Sequence, residues 1–170
     1  MREWLIAILL VSALSAPAFA AAPKLAVFDL ELIDTSVEGN APPPKAVQDR
    51  AMRASEQLRR ELAQSGKFEI VDIAPVKTAA HDSNLQACGG CDVEFAQQIG
   101  ADLVLTGVVH KISDLIINIS LFVRDVQSGR LVTAMNADMR GDTDESWSRT
   151  TGYLVRNRLL APNYGAPQRQ

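Results

Sequence analysis

A chain of 170 residues with 17 Lys and Arg against 20 Asp and Glu has material for one hydrophobic core, and its net charge of −3 argues against nucleic acid or anionic lipid as a partner. Aromatic residues make up 5% of the chain, too few for a platform on which bases or sugars stack. The cysteines, Cys88 and Cys91, are an even pair.

The amino end reads as targeting material. Arg2 supplies a positive n-region, residues 4–14 an apolar h-region, and Ala18-Phe19-Ala20 a small-x-small cleavage site, the pattern of a secretory signal peptide over residues 1–20. The apolar run is too short to span a membrane, and no Cys follows the cleavage site to carry a lipid anchor. The expectation is a mature chain from Ala21, exported to a bacterial periplasm and without a transmembrane segment.

Residues 24–33, KLAVFDLELI, form a β-rich apolar run broken only by Asp29 and Glu31, which suits a strand buried partly on both faces. A proline-rich loop follows over residues 34–44. Val47, Ala51, Ala54, Leu58 and Leu62 then recur at helical spacing over residues 45–64, with Arg50, Arg53, Glu56, Arg59 and Arg60 mostly on the other face and Gly66 as the stop. Residues 68–73 alternate as a second strand, and residues 75–90 show no regular pattern. Residues 92–99 read as a short helix with Asp92 at its N-cap.

Three strands close the pattern, over residues 103–109, 115–126 and 131–139, the last two joined by the turn Gln127-Ser128-Gly129. A final helix opens at Gly141-Asp142-Thr143-Asp144-Glu145. Asp142 or Thr143 caps it, Glu145 completes a capping box if Asp142 is the cap, and Trp147, Thr151, Leu154, Val155 and Leu159 form its inward stripe. The element order is β-α-β-α-β-β-β-α: a mixed α/β fold of two or three layers, with about five strands in a mixed sheet and helices packed on it. The expected organisation is a single domain over residues 21–160 and a flexible tail over residues 161–170.

Cys88-Gly89-Gly90-Cys91 is the motif with the most chemical potential. In an exported chain the first reading is a structural disulfide that closes a tight turn before a helix. A second is thiol redox work, because a helix N-terminus depresses a thiol pKa, but no strand feeds the motif and no proline follows before Pro162. A third is metal binding with His81 and an Asp, although only one His lies nearby. His110 has no nucleophile beside it in sequence and reads as a surface or hydrogen-bonding residue. Asp142, Asp144 and Glu145 are sufficiently explained by capping and by the helix dipole. No phosphate loop, nucleophile elbow or metalloprotease motif is present, and neither a catalytic residue nor a cofactor is expected.

The segments SEQLRRELAQSGKFEIVD, GADLVLTGVVHKIS and LFVRDVQSGRLVTA resemble the exported α/β domain of the TolB amino-terminal and CsgG-like type. More narrowly, residues 100–132 together with RGDTDESW resemble a small exported proteobacterial family of unknown function. The resemblance implies a non-enzymatic accessory or binding module of the cell envelope with a periplasmic protein partner. It also implies an association with periplasmic quinoprotein alcohol oxidation. The alternative is a thiol-redox or metal-handling protein that uses Cys88 and Cys91. His110, Asp142, Thr143, Glu145 and Trp147 are the candidate interaction or structural residues.

Overall fold

The apolar run near the amino end forms two strands rather than one. In a computed structural model that describes residues 21–36 and 42–161, β1 covers Lys24–Val27 and β2 covers Glu31–Asp34. Both lie parallel to the same neighbour, β4 (Leu103–Ser113). Val27 faces Leu105 and Glu31 faces Val108, so Phe28, Asp29 and Leu30 oppose only Thr106 and Gly107. The extra residue is a β-bulge, which interrupts the ladder and bends the strand. The residues expected to form the signal peptide, and those of the tail beyond Ala161, lie outside the described residues.

The stripe of small and aliphatic residues after Pro44 forms α1 (Lys45–Gln64), burying Val47, Ala51, Ala54, Leu58 and Leu62. Gly66, at φ +66°, follows its end in the left-handed conformation that suits glycine there. β3 (Glu69–Val71) is only three residues long and pairs parallel with β1 on the side away from β4. The stretch without sequence pattern contains a short helix, α2 (Lys77–Asp82), and α3 spans Cys91–Gln98. β4, β5 (Ile116–Asp125) and β6 (Leu131–Met139) form an antiparallel meander, and α4 (Asp144–Leu154) runs on into a π-helical turn, Val155–Leu159.

The result is the expected mixed α/β fold, an open sheet of six strands rather than about five. The path β3-β1-β4-β5-β6 carries β2 beside β4 in line with β1. One face holds α1 and α4 over Val27, Leu105, Leu121 and Met135, with Trp147 and Leu154 supplied by α4. The other holds α2 and α3 over Ala26, Phe28 and Val104, with Ala96 supplied by α3. Side chains on β1 and the first half of β4 are therefore buried from both sides, which accounts for a continuous apolar run where a half-covered strand would alternate. Truncation of a fully enclosed residue such as Leu58 or Leu105 to Ala costs about 2–5 kcal/mol.

Two expected helix starts differ in detail. Gly90, not Asp92, is the cap residue of α3, and Asp92 is buried inside the first turn, where Arg124 of β5 approaches its carboxylate at 3.3 Å. At α4 the cap is Thr143, and its box partner is Ser146 rather than Glu145. In both cases the acid has gone to a cation or to solvent; Thr143 and Ser146 cap α4, whereas Gly90 gives α3 no side-chain cap.

Candidate functional site

The residues singled out by sequence fall into four places. Cys88 and Cys91 are joined in a disulfide across Gly89 and Gly90, whose φ angles of +75° and +121° admit the tight turn into α3. His110 is exposed on β4, between Ile33 and Asn118 on the flanking strands. Glu145 is exposed and lies 3.7 Å from Arg149 one turn on.

Asp142, Thr143 and Trp147 come together where α4 begins. The Trp147 indole N–H donates to Asp142 Oδ1 at 2.8 Å, and Arg50 of α1 donates to the same oxygen at 3.2 Å. Sequence reasoning did not find the centre of this cluster, Lys111, which is 3% exposed. Its ammonium lies 2.6 Å from Asp114, 3.8 Å from Asp142 and 3.9 Å from Asp34, and donates to Ser36 Oγ at 3.0 Å. Burial alone would lower the lysine pKa, but the bond to Asp114 and the fields of Asp34, Asp114 and Asp142 outweigh it and leave the group raised. A lysine held protonated in this way is neither base nor nucleophile. It clamps β2, β4 and the start of α4. Among the described residues no group of three or more His, Cys, Asp and Glu side chains is arranged to hold a metal ion.

The bulge builds a different kind of site. Strand backbone groups point alternately to either side, and the Thr35 N–H donates to Lys111 O at 2.8 Å, so the odd-numbered residues of β2 face β4. Before the bulge the parity is opposite, because Phe28 N–H donates to Leu105 O. Val27 C=O and Leu30 N–H therefore both point to the side away from β4, just beyond the end of β3. Helix α1 satisfies them: Arg59 Nε donates to Val27 O at 3.0 Å, and Leu30 N–H donates to Ser55 Oγ at 2.9 Å. Asp29, at the crest of the bulge, accepts from Arg59 and lies 3.3 Å from Lys77 of α2. Burial pushes its carboxyl pKa up, but those two cations more than offset it and hold it below the usual 3.8. On the far side, Glu31 Oε1 accepts the Leu85 N–H at 2.7 Å.

Because β3 stops at Val71, no strand among the described residues lies beside β2 on the side away from β4, and α1 and α2 stand apart on either side of the vacated row. Between them is a cleft of about 450 Å³, walled by Phe28, Leu30, Ala51, Met52, Ile73 and Leu85, with Gln48, Lys77 and His81 at its rim. It sits at the carboxyl end of β1, where the chain leaves over one face through α1 and returns over the other through α2 and α3, the place where open α/β sheets bind ligands. The hydroxyl in its wall is already committed, since Ser55 Oγ donates to Ala51 O while accepting from Leu30. The Asp29 carboxylate is likewise engaged by its two cations. The walls can bury apolar surface, but they present no nucleophile with a base beside it. The only trace of this cleft in the sequence is the pair of acids, Asp29 and Glu31, inside an apolar strand.

Residues 23–159 match the family DUF3280, described as "Protein of unknown function (DUF2380)". No curated protein matches the chain. Among solved structures, lipoprotein GNA1162 from Neisseria meningitidis is similar at a TM-score of 0.55, with 13% identity over 82% of this chain and 98% of that one. The PelC dodecamer from Paraburkholderia phytofirmans gives 0.51, 18%, 91% and 94%, and the LpoB C-terminal domain from Salmonella enterica 0.50, 21%, 74% and 87%. At these identities the likeness is one of fold.

Proposed function

Taking as premise that the chain belongs to the DUF3280 family, which spans residues 23–159 of it, we propose that it is a non-enzymatic accessory module of the bacterial cell envelope that binds a partner protein in the cleft beside β2. The observation that carries this reading is the composition of that cleft. Its walls are apolar, its buried polar groups already have partners, and its position is where this class of sheet takes ligands. A fold shared with a meningococcal lipoprotein agrees with an envelope setting. Among the described residues no helix is long and apolar enough to cross a membrane. Residues 1–20 are the cleaved signal peptide in this account, and residues 21–160 the module exported to the periplasm. Its relation to the TolB and CsgG type is one of architecture, and a periplasmic quinoprotein alcohol-oxidation system is the setting that the sequence resemblance brings forward.

The test is capture from periplasmic extract by the immobilised protein, compared with its Met52→Arg variant. Met52 is 47% exposed at the mouth of the cleft, so the substitution closes the site without opening the core. A defined protein held by the wild type and released by Met52→Arg supports the reading. Equal capture by both places the partner elsewhere, and turnover of a small substrate by the pure protein would contradict the non-enzymatic assignment.

A further inference from the structure

We infer that the occupant of the cleft is an extended segment of the partner, added as a strand to the free edge of β2 in the row that β3 vacates, with one bulky apolar side chain seated between α1 and α2. The inference rests on the partner-binding reading above and specifies its chemistry. Its ground is the backbone. With the odd-numbered residues of β2 turned to β4, Leu32 and Asp34 direct their N–H and C=O groups the other way, and among the described residues nothing accepts or donates to them there. Nearer the bulge the same row is closed, because Arg59 and Ser55 occupy Val27 C=O and Leu30 N–H. The edge thus opens at Leu32, two residues beyond Leu30, alongside the apolar walls.

A strand lies about 4.8 Å from its neighbour, so a chain paired with Leu32 and Asp34 runs between the helical layers where a longer β3 would run. Successive side chains of that chain point to opposite faces, towards α1 on one side and α2 on the other. The residue opposite Leu32 reaches Leu30, Ala51 and Met52, or, one position along, Phe28, Ile73 and Leu85. Main-chain bonds along an edge with a pocket for alternate side chains are the two ingredients of strand-addition recognition. A free apolar molecule could use the pocket but would have no use for the open backbone groups, and this separates the two occupants experimentally.

The probe is a phage-displayed library of ten-residue peptides selected on the folded protein, with Met52→Arg used for counter-selection. Strand addition predicts enriched peptides that share a single bulky apolar position, bind at least tenfold more weakly to Leu32→Pro, and slow amide exchange at Leu32 and Asp34 in the wild type. Proline at position 32 removes an outward N–H and leaves the bonds to β4 intact, a kind of site in a sheet where proline is tolerated. The exchange measurement needs no variant, so it stands even where Leu32→Pro loosens the strand. Absence of any Met52-dependent peptide overturns the inference. So do peptides that lose binding with Met52→Arg yet leave the Leu32 and Asp34 amides exchanging as before; if the partner is still captured in a Met52-dependent way, the partner-binding reading then survives with a different occupant.

Discussion

The indole nitrogen of Trp147 and the carboxylate of Asp142 are joined at 2.8 Å, and this contact ties α4 to the buried lysine of β4 and to Arg50 of α1. Trp147 is 2% exposed. Trp147→Ala should therefore cost about 3–5 kcal/mol in equilibrium urea unfolding. Trp147→Phe keeps most of the apolar burial and removes only the donor, so its cost should be about 1–2 kcal/mol. An unchanged unfolding midpoint in the Ala variant would contradict the role given to this residue.

Asp29 supplies a pH signature. Burial raises its carboxyl pKa, but Arg59 and Lys77 outweigh burial and depress it below its ordinary 3.8. A group depressed on folding stabilises the folded state above its unfolded value, and that contribution disappears as pH falls through the folded value. Melting temperature recorded from about pH 6 to about pH 2 should drop below about pH 4, and Asp29→Asn should begin lower and fall less steeply over that acid range. Parallel curves would show that Asp29 is not held by its two cations.

The disulfide closes a loop of sequence separation 3, so it removes little entropy from the unfolded chain. Replacing Cys88 and Cys91 together by Ser should lower stability by about 1–2 kcal/mol. Amide exchange should quicken between Leu85 and Asp92 and stay unchanged in β4 to β6. A collapse of the whole fold would refute a local role. Loss of a cellular phenotype with stability intact would revive the redox reading.

Gly107 is the position in β4 that admits the bulge. A Cβ there would lie 2.5 Å from Leu30 Cδ2, 2.7 Å from Leu121 Cδ2 and 2.9 Å from the Ser120 carbonyl, and the last of these is backbone in the same ladder. Gly107→Ala should cost about 1–3 kcal/mol by overpacking. Its effect on partner capture should exceed that of Gly129→Ala, which is strained by a φ of +67° but lies in the remote β5–β6 turn. Equal effects of the two substitutions would mean that Leu30 is not fixed by this contact.

The meander and the last helix were legible in the sequence because their signals are local: β5 alternates, β6 follows a tight turn, and α4 begins at a cap. The bulge was not, because β1 is covered on both faces and its apolar run carries no parity from which a slip of one residue could be read. Asp92 looked like a cap because an acid at a helix start usually is one, and its partner Arg124 lies 32 positions away across the core. Lys111 gave no sign of burial, since its four oxygen partners come from the end of β2, from Ser36 two residues on, from the β4–β5 turn and from the start of α4. The cleft depends on a strand being short, on α1 and on α2, and the two acids in the first apolar run were its only local trace.

The most direct measurement is photo-crosslinking in living cells from a benzophenone side chain placed at Met52, with Tyr153 on α4 as the control position. Met52 is at the mouth of the cleft and Tyr153 is 44% exposed beside β6. The account predicts one discrete protein adduct from position 52, lost when the cleft is closed by Leu30→Trp, and none of that mass from position 153. The same adduct from both positions, or from position 52 with the cleft filled, would contradict it.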